Sequence, residues 1–144
     1  MRWIYDDGGR EAAGFEAKKV GDCVVRAIAI ATGQSYRAVY DEIGDLARDD
    51  NSRRRVHRRS NVSPRNGVMK EVYKRYLRDL GWTWTPTMGI GTGCRVHLRD
   101  GELPAGRLIV RTSRHLTAVI DGVIHDIYDP SRDGSRCVYG YWRR

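Results

Sequence analysis

The chain has 144 residues, 40% of them hydrophobic and 31% charged, with 26 basic residues against 18 acidic ones and a formal net charge of +8. This composition excludes a disordered chain and supplies apolar mass for one compact domain over 1–144, with little left for a second. No run approaches the roughly 18 apolar residues of a membrane helix, and MRWIYDDGGR carries acids and glycines where a signal peptide has a basic flank and an apolar stretch. The expectation is a soluble, cytoplasmic protein without membrane contact. The cysteines, Cys23, Cys94 and Cys137, form an odd, widely spaced set with no CxxC pair. That argues against a disulfide framework and a four-ligand zinc site and fits a reducing cytosol.

The first twenty residues, with Gly8, Gly9 and Gly14 among charges, show no periodicity and read as an extended or looped arm. In GDCVVRAIAIATGQ, apolar residues crowd positions 23 to 31, Asp22 is a good N-cap and Gly33 a stop, which predicts a short buried helix. A second helix is predicted in SYRAVYDEIGDLARDD, capped by Ser35, with Tyr36, Val39, Tyr40, Ile43, Leu46 and Ala47 on one face. A third, the longest helical pattern, runs through NGVMKEVYKRYLRDLGW, where Val68, Val72, Tyr76 and Leu80 recur every four residues beside Leu77.

Between the second and third helices, RDDNSRRRVHRRSNVSPRN reads as a solvated basic loop at about 50–66, with five arginines, Arg53, Arg54, Arg55, Arg58 and Arg59, in seven consecutive positions. After Gly81, WTWTPT, LIV, HLTAVI, VIHDIY and CVYGYW are β-rich runs separated by polar turns. Helices first and strands later predict an α+β fold, with N-terminal helices laid on a mainly antiparallel C-terminal sheet.

Two segments carry candidate chemistry. Cys23 falls in the first turn of the buried helix, where unpaired N–H groups and the positive end of the helix dipole favour a thiolate. The competing reading is a packed core cysteine. In RHLTAVIDGVIHDIYDPSRDG, Asp121-Gly122 signals a hairpin between two strands. With a two-residue turn His115 faces Tyr128 and Asp126 sits diagonally on the same side, whereas a three-residue loop puts His115 opposite Asp129. Either register gives the imidazole a carboxylate, the arrangement that activates a thiol as nucleophile. For Asp129 the alternative is a turn initiator in an Asp-Pro-Ser sequence.

In order, GDCVVRA around Cys23, LPAGRLIVRTSRHLTAVIDG around His115 and YDPSRDG around Asp129 resemble the papain-like cysteine peptidase superfamily. The likeness is to compact bacterial and phage-type members, including bacteriocin-leader-processing peptidases and transglutaminase-like proteins. The resemblance implies a papain-like fold, Cys23 as nucleophile, His115 as base and Asp129 or Asp126 as the orienting acid. It implies a peptide or protein substrate cleaved at a peptide, isopeptide or other amide bond, with no metal and no organic cofactor. Many members take an oxyanion donor from a Gln or Asn shortly before the Cys; here the first such residue is Gln34, and the upstream polar residues are Lys18, Lys19 and Asp22.

Elsewhere the signals are weaker. His125 reads as a structural residue. His97 and Cys94 have a metal-compatible spacing, but two ligands do not make a site, and no carboxylate or further cysteine is expected close by. GIGTGC follows no βαβ strand and opens no apolar helix, which gives a phosphate loop little support. Among Trp82, Trp84, Tyr139, Tyr141 and Trp142, half are expected in the core and half along a groove. The rival to an enzyme is a catalytically silent basic module that binds nucleic acid or an acidic host protein through Arg53, Arg54, Arg55, Arg58 and Arg59. An inhibitor acting by surface complementarity alone is a third class.

Overall fold

The computed structural model describes residues 1–15, 22–53 and 70–144, with the side chains of 50–53 left aside. The elements are β1 (Trp3–Tyr5), α1 (Cys23–Thr32), α2 (Tyr36–Arg53), α3 (Lys70–Asp79), β2 (Thr83–Pro86), β3 (Arg107–Thr112), β4 (His115–Ile120), β5 (Val123–Asp126) and β6 (Gly140–Arg143). The fold is α+β, as the sequence predicts: among the described residues three helices precede most of a six-stranded, largely antiparallel sheet of order β1-β5-β4-β3-β6-β2.

α1 is the buried apolar helix, with Val24, Val25, Ala27, Ile28, Ala29 and Ala31 all inside. It ends where Gly33 adopts a left-handed φ of 76° and returns its N–H to the Ala29 carbonyl at 3.0 Å. Its start differs from the capping expectation. The Asp22 side chain makes no cap hydrogen bond but turns into the protein toward arginines and a tyrosine. At α2 the Ser35 hydroxyl does accept the Ala38 N–H, at 3.1 Å.

α2 runs to Arg53, so the first residues of the basic loop expected at about 50–66 are helical. No glycine or proline interrupts 45–53 and arginine is a good helix former, so the amphipathic pattern can fade while the backbone stays helical to Arg53. α2 is therefore the longest helix among the described residues. In α3, Val72, Tyr73, Tyr76 and Leu77 are buried.

The N-terminal arm is also corrected in part: Trp3–Tyr5 adds a parallel edge strand to β5, held by Ile124 N–H to Arg2 O and Asp6 N–H to Asp126 O, both at 2.9 Å. Three residues are too few to display a period. The β4–β5 hairpin takes the two-residue turn, pairing Ile120 with Val123, Val119 with Ile124 and Ala118 with His125. Asp121 and Gly122 both have positive φ, 47° and 78°, as a type I′ turn requires.

Two apolar clusters flank the sheet. Ile109, Leu116, Ala118 and Trp142 join the core beneath the helices, and Leu108, Val110, Val119, Ile124 and Val138 form a second cluster with Leu98. Trp82 and Trp142 are buried, while Trp84, Tyr139 and Tyr141 are half-buried, close to the expected division. Gly140 is required by contact: a Cβ there would lie 2.4 Å from the Trp84 ring. No helix among the described residues is long and apolar enough to cross a membrane.

The cysteine expectation fails. Cys94 and Cys137 form a disulfide with a Cα–Cα distance of 5.8 Å, leaving Cys23 as the free thiol. The bridge forms because His97 pairs with Cys137 in an isolated antiparallel contact that lays the glycine-rich loop against the approach to β6. A sequence separation of 43 carries no sign of that pairing.

Candidate active site

The first residue of α1, the first of β4 and the last of β5 converge. α1 packs across β4 and reaches β5. This brings the half-buried Cys23 thiol to the end of β4, where the Leu116 N–H is a hydrogen-bond donor to it and the His115 imidazole lies beside it. On its other side, His115 Nε2 lies 2.7 Å from Asp126 Oδ2. With Nε2 engaged by the carboxylate, Nδ1 is the ring nitrogen left for the sulfur.

The two-residue hairpin register makes this contact. It places Asp126 diagonally from His115, the arrangement derived for that register, with Thr117 between them donating its hydroxyl to Asp126 Oδ2 at 2.7 Å. The Ile127 N–H holds Oδ1 at 2.7 Å, so both carboxylate oxygens are engaged. Asp126 and His115 are 3% and 7% exposed. The choice left open in the sequence therefore falls on Asp126. Asp129 is exposed, and its Oδ1 accepts the Ser131 N–H at 3.0 Å, a turn-forming role at an Asp-Pro step.

The electrostatics are those of a coupled thiol and imidazole. Burial opposes ionisation of Cys23, but His115, the Leu116 N–H and the Arg26 charge outweigh it and hold the thiol below its usual range. Burial likewise disfavours a charged His115, yet Asp126 and Cys23 push its pKa up to about 9. Asp126 stays below the usual carboxylate range because His115, Thr117 and the Ile127 N–H overcome its desolvation. A lowered thiol pKa beside a raised imidazole pKa favours a thiolate–imidazolium pair, with the carboxylate behind the ring.

Sequence reasoning missed the groups around this trio. Arg26, one turn after Cys23 in an otherwise apolar helix, bonds Asp22 and reaches Asp126 Oδ1 at 3.6 Å. Asp22, fully buried, also receives Arg10 at 3.4 Å and the Tyr36 hydroxyl at 2.6 Å. A buried charge chain thus runs from Arg10 through Asp22 and Arg26 to Asp126. A lone arginine inside GDCVVRAIAIA was the available signal. The Tyr128 ring lies 5.3 Å from the His115 ring, and the Tyr73 hydroxyl, which accepts a 3.0 Å bond from Arg111, has its pKa raised by burial, with a smaller contribution from the Cys23 charge.

The remaining candidates lie apart. His125, half-buried, places Nδ1 3.2 Å from Asp6 Oδ2. Cys94 Sγ is 3.4 Å from His97 Nε2, and His97 Nδ1 is 3.2 Å from Glu102 Oε1. This corrects the expectation that no carboxylate or further cysteine lies near them. Even so, no group of three or more His, Cys, Asp or Glu residues among the described residues is arranged to hold a metal ion. Lys18 and Lys19 lie outside the described residues, as do Arg54, Arg55, Arg58, Arg59 and the side chain of Arg53. Asp22 is committed to the charge chain and supplies no oxyanion donor. Comparison with known proteins finds no matching family model, no matching curated protein and no matching solved structure.

Proposed function

We propose that the protein is a thiol enzyme of papain-like organisation that opens an amide bond of a peptide or protein through an acyl-enzyme. The observation that carries this reading is the placement of His115 between the free Cys23 thiol and the buried Asp126. The Cys23 thiolate attacks the substrate carbonyl carbon, and the carbonyl π electrons move to oxygen. The oxyanion forms at the start of α1, where backbone N–H groups have no intrahelical partner and the helix dipole favours negative charge.

Collapse of the tetrahedral adduct breaks the C–N bond. The His115 imidazolium gives its proton to the departing nitrogen, leaving a neutral ring and a thioester on Cys23. Neutral His115 then takes a proton from water, whose oxygen attacks the thioester. The carboxylic acid leaves and the thiolate–imidazolium pair is restored. Asp126 stays ionised throughout, holding the ring with Nδ1 toward sulfur. An amine in place of water would give transfer, and a primary carboxamide substrate would give deamidation, by the same acyl-enzyme. These steps use protein side chains and water alone.

The test pairs a peptidyl acyloxymethyl ketone, read by intact mass, with mass-spectrometric detection of hydrolysis in a mixed peptide library. Covalent addition at Cys23, together with peptide products lost in Cys23→Ala, supports the reading. Absence of both in the folded protein contradicts it.

A further inference from the structure

α3 carries two kinds of cation. Arg75 is paired with Asp49 at 3.8 Å and with Asp79 at 4.0 Å. Lys70, Lys74 and Arg78, each four residues from the next, make a stripe along α3 that has no ion pair among the described residues. This stripe borders a cavity of about 540 Å³ whose wall includes Lys70, Lys74, Trp84, Met88, Arg111 and Tyr139. A second cavity, about 350 Å³, shares Lys74 and Trp84 and extends to Arg78. Crowding is evident at Lys74: partial burial and the charges of Lys70, Arg111 and Arg78 push its pKa down against the weaker pull of Glu71.

Arg111 links the groove wall to the surroundings of the thiol. Arg111 bonds the Tyr73 hydroxyl at 3.0 Å and pairs across the sheet with Leu116, whose N–H meets Cys23. Resting on the reading of Cys23 as nucleophile, we propose that Lys70, Lys74, Arg78 and Arg111 form a subsite for an acidic segment of a polypeptide substrate, presenting the adjoining amide to Cys23.

Spacing and chemistry favour this ligand. Cations four residues apart on a helix are about 6 Å apart along its axis, and same-face side chains of an extended peptide recur every ~6.8 Å, so alternating Asp or Glu residues meet successive cations. Trp84, Met88 and Tyr139 supply apolar surface for the intervening side chains.

The experiment is fluorescence anisotropy with the full chain and labelled (Glu-Ala)3, (Lys-Ala)3 and a twelve-nucleotide oligothymidine. Alkylation of Cys23 by iodoacetamide, a small neutral reagent that needs no groove, is measured in parallel. The expected result is at least tenfold tighter binding of the acidic than of the basic peptide at low salt, lost in 1 M salt, where the screening length is about 3 Å. The double substitution Lys70→Glu with Lys74→Glu should weaken acidic-peptide binding tenfold or more. Lys74→Gln, the milder variant should the double one fail to fold, should weaken it two- to threefold. Arg75→Gln, on the paired face, should leave it unchanged.

Equal affinity for the two peptides with rapid alkylation overturns the subsite and spares the enzyme reading. Tight oligothymidine binding that is lost with the same lysines, without acidic-peptide binding, overturns it in favour of a nucleic-acid groove. Acidic-peptide preference with an ordinary, slow thiol rate overturns the nucleophile reading and the presentation step with it.

Discussion

Among the described residues, two chains of cysteine, histidine and carboxylate stand out, and one of them has the surroundings of a nucleophile. In Cys94–His97–Glu102 the contacts are 3.4 and 3.2 Å, all three residues lie within nine positions of an exposed-to-half-buried loop, and the sulfur is bonded to Cys137. In Cys23–His115–Asp126 the residues come from α1, β4 and β5, the histidine and acid are buried, and the sulfur is free at a helix start. The same functional groups therefore do not define the chemistry. At one sulfur the His115 imidazole, a backbone N–H from Leu116 and a helix terminus outweigh burial and favour the anion, whereas the other is a crosslink.

The comparison can be broken most forcefully at the histidines. His115→Ala is expected to slow acyloxymethyl ketone labelling of Cys23 by a hundredfold or more, while His97→Ala leaves it within twofold, both read by intact mass over time. The acids should differ likewise. Asp126→Asn removes the charge that orients and stabilises the imidazolium and should lower peptide turnover by about a hundredfold or more, whereas Asp129→Asn should change it less than twofold.

Stability sharpens the contrast. Asp22→Ala strands Arg10 and Arg26 without their shared buried carboxylate, a loss of about 3–5 kcal/mol by denaturant unfolding, with weakened support for Asp126. Cys137→Ser opens a crosslink spanning 43 positions and should cost about 2–4 kcal/mol, yet leave iodoacetamide alkylation of Cys23 within twofold.

Much of this site was legible because its signals are local. A cysteine opening an apolar helix, a histidine opening a strand and an Asp-Gly turn set the convergence, and turn arithmetic narrowed the acid to two. The choice between them depended on whether the turn held two residues or three, which the positive φ of Asp121 and Gly122 decides. What stayed hidden is non-local. The Cys94–Cys137 bridge, the β1 edge strand and the Asp22–Arg26–Asp126 chain join residues whose proximity only the folded sheet creates. Asp22 misled because a good cap residue is also a good buried ion-pair partner, and Arg10 and Arg26 outbid the helix end.

The pH dependence of the Cys23–His115 pair bears most directly on the central claim. Thiolate absorbance near 240 nm, taken as wild type minus Cys23→Ser, should appear at a pH below the usual thiol range and shift upward in His115→Ala. Peptide turnover should fall as pH rises through about 9, where the imidazolium loses the proton it gives to the departing amine. The same proton stabilises the fold: the raised His115 pKa contributes fully below its unfolded value near 6.5 and is lost as pH passes about 9. A thiol that titrates in the ordinary range, unchanged by removal of His115, would contradict the account.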